Sequence, residues 1–180
     1  MHVRFSTCIG IPVIEEMADE GIASINGILI HPDTAFVEGF FVTIPSFLRT
    51  EELFLSSSDI IHWGMSVHIR TADVLAPLED RVRLAALVEE GRTVLDQRVV
   101  GEGGRVIGTC RDVQFDTRVF HLEWIFPKKF LRWAIPIPTA AIVEVTPAAI
   151  IVRDRSKPLP VEPTEAVFTP LDPLSNTPIP

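Results

Sequence analysis

The sequence predicts an all-β protein: two tandem small β-barrels joined by a short helix, with a Pro-rich C-terminal tail. Three observations carry this. Val, Ile and Phe fill long sections while Tyr is absent and few segments look helical, the composition of strands on a pleated, half-buried surface. Glycines and prolines break the apolar runs into short pieces. Finally, the chain repeats itself. "GIASINGILIHPDTAFVEGFFV" (21–42) lies beside "VIGTCRDVQFDTRVFHLEWIF" (106–126), so that at an offset of 85 Ile22 meets Ile107, Ile28 meets Val113 and Ile30 meets Phe115.

The repeat extends further. After a one-residue slip Phe36 falls on Phe120 and Phe40 on Trp124. Pro45 and Phe47-Leu48-Arg49 then fall on Pro127 and Phe130-Leu131-Arg132. Leu53, Leu55 and Ile60 match Ile135, Ile137 and Ile142, and Val67 and Ile69 match Ile150 and Val152. Each copy reads as a short strand and turn, a long strand (22–31, 106–116), and a returning strand (36–43, 119–126). A Phe-Leu-Arg excursion, a strand at 53–55 or 133–137, and a closing pair (59–62 with 65–70, 142–145 with 148–153) complete it. Five or six short strands in so few residues suit a small closed barrel better than a sandwich. The first barrel occupies 1–78 and the second 92–155. Between them, "EDRVRLAALVEEG" (79–91) is rich in helix formers, carries acids at its start and offers Gly91 as a cap, so it reads as a linker helix. Residues 156–180 form an extended tail, since 155–180 holds seven prolines. Its apolar residues around Val167-Phe168 suit docking on a barrel or on a neighbouring subunit.

"GGRVIGTCRDVQFDTR" (103–118) poses the sharpest choice, between a phosphate loop, a metal site and a bent strand. No Gly-Lys-Ser/Thr leads into a helix, which excludes the phosphate loop. Asp112 and Asp116 alone are too few ligands for an all-protein cation site. A bent strand fits: Gly103-Gly104 turns the chain, Gly108 permits a barrel corner, and Ile107, Val113 and Phe115 share one face while Asp112, Gln114 and Asp116 share the other. Ile28, Ile30, Phe36, Val113, Phe115 and Phe120 are the expected core.

The spacing Gly104, Gly108, Asp112, Asp116, then Ile135-Pro136, Ile142 and Ile150–Val152, resembles the PRC-barrel family. This family is named for the photosynthetic reaction centre, where it forms part of one polypeptide, and is also found in a ribosome maturation factor. The first copy departs from the pattern, with Ala23, Gly27 and His31 in place of the second Gly and the two acids, and reads as a degenerate copy. The resemblance implies a docking or scaffolding domain and no enzyme.

The residues favour no catalytic chemistry. His2, His31, His62, His68 and His121 are scattered without a zinc spacing, and Ser56-Ser57-Ser58 lacks a nucleophile elbow. Cys8 and Cys110 form neither a CxxC nor a disulfide framework. No metal or other cofactor is expected. No apolar run approaches the ~20 residues of a membrane span, and no signal-peptide pattern opens the chain, so a cytoplasmic location is expected. The net charge of −8 is uneven: residues 1–90 hold 14 acids and 5 bases, residues 91–180 hold 10 and 11. That balance disfavours general nucleic-acid binding.

One surface stands out. Lys128, Lys129, Phe130, Leu131, Arg132 and Trp133 mix cations with aromatic and apolar residues, as partner-binding surfaces and membrane interfaces do. Phe47, Leu48 and Arg49 repeat it in the acidic copy. The competing reading is that Phe130 and Leu131 plug a barrel end. The leading expectation is a non-enzymatic protein-binding or assembly module, its partner another protein or a second copy. An RNA- or ribosome-linked accessory protein is second, and a peripheral subunit of a photosynthetic or other membrane complex is third.

Overall fold

The computed structural model describes residues 1–18, 20–45 and 51–154. The strands run β1 His2–Arg4, β2 Pro12–Glu15, β3 Gly21–Ile30, β4 Val37–Ile44, β5 Glu51–Ser56, β6 Ile60–Trp63 and β7 Val67–Ile69. After helix α1, Val82–Glu89, follow β8 Arg98–Gly101, β9 Val106–Asp116, β10 His121–Lys129, β11 Arg132–Trp133, β12 Ile137–Pro138, β13 Ile142–Val145 and β14 Ile150–Val152. The expected all-β class is present, with one α-helix among the described residues. Gly91, at φ +67°, ends α1 in the left-handed conformation expected of a helix cap, and Gly104 turns the chain at φ +82°.

The strands form two sheets of the same plan. One has the order β5-β4-β3-β2-β7-β6, the other β11-β10-β9-β8-β14-β13 with β12 also on β10. In both, the first short strand pairs in parallel with the last, Val13 with Val67 and Val99 with Ile150. Among the described residues neither sheet closes on itself by hydrogen bonds, so the two closed barrels expected from the repeat are not what these sheets form. The outer edge of β5 is taken by the Ala76 segment, which exchanges bonds with Phe54, rather than by β6. On the other sheet β11 and β12 span only two residues each, and Pro136 and Pro138 offer no backbone N–H to extend the pairing.

The pairing fixes the repeat more finely than the sequence did. Ile25, Ile28 and Ile30 face Val42, Phe40 and Val37, while Cys110, Val113 and Phe115 face Pro127, Ile125 and Leu122. The offset of 85 therefore continues through β4 and β10. The counterpart of Phe40 is Ile125, that of Phe36 is His121, and that of Pro127 is Val42, not Pro45; the slip falls later, between β4 and β5. From Leu55 and Ile137 onward the sequence matches agree with the pairing. Both copies also bulge at the same places, between Ile25 and Gly27 or Cys110 and Asp112, and at Glu38 or Glu123.

Where the copies meet, residue pairs its own counterpart. Phe36 bridges His121, the Val37 N–H donates to the Phe120 carbonyl (2.7 Å), and the Leu122 N–H donates to the Ala35 carbonyl (2.8 Å). Ala35 and Phe120, themselves counterparts, share a positive φ of 57° and 49°. These contacts define a local two-fold axis. Around it the sheets share one core: the Phe40 and Trp63 rings pack on those of Phe115 and Phe120 at 5.7–6.2 Å within a single aromatic cluster. Ile30, Val113 and Phe115 are buried as expected, and Ile28 and Phe120 are half-buried against the core. Phe36 is instead 37% exposed, because its place at the axis turns it outward.

The outer faces are covered differently. On the first sheet Leu29, Phe41 and Phe54 lie under Leu84 and Leu87 of α1. On the second, β1 adds to the edge of β9, with Val3 opposite Phe115, so the first strand in the chain belongs to the second sheet. The bulged acid secures the cover in each case: Glu38 accepts from Arg83 of α1 at 2.9 Å, and Glu123 contacts His2 of β1 at 2.8 Å.

Candidate partner-binding site

Strands β10 and β11 form a hairpin whose stem pairs Lys128 with Trp133 and Lys129 with Arg132. Only Phe130 and Leu131 make the loop. Phe130 has a φ of +53°, a place where glycine is at ease and a bulky L-residue is strained. Both tip side chains stand in solvent, Phe130 92% and Leu131 90% exposed. They do not plug a barrel end. Phe47, Leu48 and Arg49 lie outside the described residues.

The stem holds Trp133 between cations. The Lys128 ammonium lies 5.2 Å from the ring centroid and the Arg4 guanidinium 5.4 Å from it, while Arg4 also lies 4.0 Å over Phe126. Arg4 in turn is held by Asp112, whose Oδ2 lies 2.9 Å from Arg4 Nε. Asp112 further accepts from the Ser6 N–H (2.9 Å), the Ser6 hydroxyl (2.7 Å) and the Val113 N–H (2.9 Å). Asp112 is therefore buried and structural: it anchors the chain that follows β1 and, through Arg4, orients Trp133. It takes the face of β9 opposite Val113 and Phe115, as the alternation predicts, and is buried there because Ser6 and Arg4 cover it. Arg4 was not singled out in the sequence. Only its spacing from Asp112 across the whole fold gives it meaning.

Gly108 makes a close approach possible. A Cβ there would stand 2.8 Å from the Lys128 carbonyl oxygen, so the hairpin stem crosses against bare backbone. The hairpin continues into a groove of about 430 Å³ whose apolar wall includes Val106, Ile107, Ile135, Pro136, Ile137 and Val152. Arg105, Lys129 and Arg153 stand at its edge, with Asp154 the one acid among the described residues that line it. Asp154 is engaged, accepting from the Gly103 N–H at 3.2 Å.

Other clusters are accounted for by ion pairs. His2, Asp116 and Glu123 bring potential metal-ligating atoms together. Two positive charges already face Asp116, however: Arg118 Nη2 at 2.7 Å and the Met1 ammonium at 3.2 Å. Bonds from the Arg118 side chain and backbone hold the Asp116 carboxyl well below the usual carboxylate range. Burial pushes the thiols of Cys8 and Cys110 up to about 12, which leaves them scarcely ionised at neutral pH. A shallow cleft of about 470 Å³ at the two-fold axis is lined by His31, Thr34, Phe36, Glu38, Arg83 and His121, with Arg83 already tied to Glu38.

No helix among the described residues is long and apolar enough to cross a membrane. The chain matches no protein-family model and no curated protein.

Proposed function

We propose that this protein is a non-enzymatic protein-binding or assembly module of the PRC-barrel type, working in the cytoplasm, and that the Lys128–Trp133 hairpin is its docking element. Each sheet is then an open-edged form of one small barrel, and the two act as a rigid base. The observation that carries the reading is Phe130. An exposed aromatic in a strained loop position contributes nothing to the core, and such strain collects where function requires it. Phe130 and Leu131 supply apolar anchors, and Lys128, Lys129 and Arg132 surround them with positive charge. The matching partner surface is an apolar pocket with an acidic rim. The scarcely ionised thiols and the ion-paired Asp116 support a non-catalytic role.

The test compares wild type with Phe130→Ser/Leu131→Ser as bait in extracts of the native host. Because both tip residues are solvent-exposed, the double variant keeps the wild-type melting temperature and loses a discrete protein partner. Retention of the same proteins by both baits, or recovery only of RNA or lipid, overturns the reading. Phe130→Gly separates folding from function: it relieves a conformation that costs about 1–2 kcal/mol for an L-residue, so stability in denaturant melts holds or rises while partner capture falls.

A further inference from the structure

We infer that the groove beside the hairpin is the binding site of the protein's own C-terminal segment around Ala166–Leu171, held in the same chain. The groove's wall of Val106, Ile107, Ile135, Pro136, Ile137 and Val152 is apolar, and Ile135 is 61% exposed. The structure's last described residues, Arg153 and Asp154, themselves line this groove, and 26 further residues follow. The next part of the chain therefore starts at the groove, and a proline-spaced segment at ~3 Å per residue has ample length to turn back along it.

The chemistry matches. The segment "EAVFTPLD" (165–172) offers Val167, Phe168 and Leu171 between Glu165 and Asp172, with Glu162 just before. The groove offers apolar wall between Arg105, Lys129 and Arg153. Acids beside apolar anchors thus meet cations beside apolar wall. Prolines at 163, 170 and 173 restrict the free segment and lower the entropy lost on docking. The volume of about 430 Å³ lies in the range of sites that enclose a few side chains. This inference shares Lys129 with the hairpin but does not rest on the hairpin's role, since the tip residues Phe130 and Leu131 do not line the groove.

The test places a nitroxide on the full chain at Thr169→Cys. Cys8 and Cys110 are buried with thiols pushed up to about 12, so labelling of the native protein is confined to the new cysteine. The expected result is loss of NMR intensity at Ile107, Ile135, Ile137 and Val152 methyls, unchanged by dilution with unlabelled chain. In the unlabelled full chain, Val167→Asp/Phe168→Asp shifts the same methyl signals and leaves those of Val13 and Val67 in place. Full intensity at the groove methyls overturns the inference. So does loss confined to Phe130 and Leu131, or loss seen when spin-labelled chains are mixed with isotope-labelled chains lacking the nitroxide, which would assign the groove to a second copy.

Discussion

Asp112 shows how much one side chain can organise. Its carboxylate takes three hydrogen bonds and an ion pair from residues 4, 6 and 113, and it is only 2% exposed. Asp112→Ala leaves the Ser6 amide without its partner, and the expected loss is about 1–3 kcal/mol in urea melts. Tryptophan emission should change as Arg4 releases Trp133. Asp116 acts through pH instead. Its carboxyl in the folded protein titrates below the ordinary value near ~4, so the ionised form is favoured by folding. The resulting stability is present above about pH 4 and is lost as pH falls toward the folded value. Asp116→Asn therefore flattens the acid limb of a stability-versus-pH curve between roughly pH 5 and 2, and an unchanged limb would assign that limb to other carboxylates.

At the scale of elements, the strands, helix α1 and the turns at Gly91 and Gly104 were legible because each is written locally, in alternation, propensity and glycine placement. The face of each residue was not. In β9 the buried residues are Gly108 and Cys110 before the bulge, then Asp112, Val113, Phe115 and Asp116 after it, of which Cys110, Val113 and Phe115 belong to the core. A bulge inserts one residue and exchanges inside for outside, and no single strand's pattern reveals it. Hence Ile107 lines the groove rather than the centre of the core, whereas Asp112 keeps the face opposite Val113 and is buried only because Ser6 and Arg4, distant in sequence, cover that face. The register of β10 failed for a related reason: Phe36, Phe40 and Trp124 are all aromatic or apolar enough to match after a slip, whereas the pairing of Phe40 with Ile28 and of Ile125 with Val113 allows none. The hairpin's residues were legible as a chemical mixture, but its exposure was not, since Phe130 and Leu131 would satisfy a barrel plug equally well in sequence. Gly108 belongs to this scale. Gly108→Ala drives a Cβ into the Lys128 backbone and should cost about 1–3 kcal/mol. It should also broaden the NMR signals of Trp133, whereas Ala23, its counterpart, already carries a Cβ within the first sheet.

Across the whole molecule, two copies of one plan enclose a common core. Phe40 and Trp63 come from one sheet and Phe115 and Phe120 from the other, so neither half buries these rings alone. Unfolding is expected as one transition, with far-UV circular dichroism and tryptophan fluorescence giving coincident urea curves. Two separated transitions would mean that the sheets fold independently. The copies have diverged in what covers them: α1 lies on the first, and β1 with Arg4 supports the second. That difference leaves the second copy with the oriented Trp133, the cations and the exposed tip, on the half of the chain that carries the positive balance.

The most direct measurement of the docking role is site-specific photo-crosslinking in the native host, with benzoylphenylalanine in place of Leu131 and, as control, in place of Met65, which is 96% exposed in the turn between β6 and β7. The expected result is a discrete protein adduct from position 131 and none from position 65. No adduct at 131, the same adducts from both positions, or adducts with nucleic acid or lipid alone would contradict it.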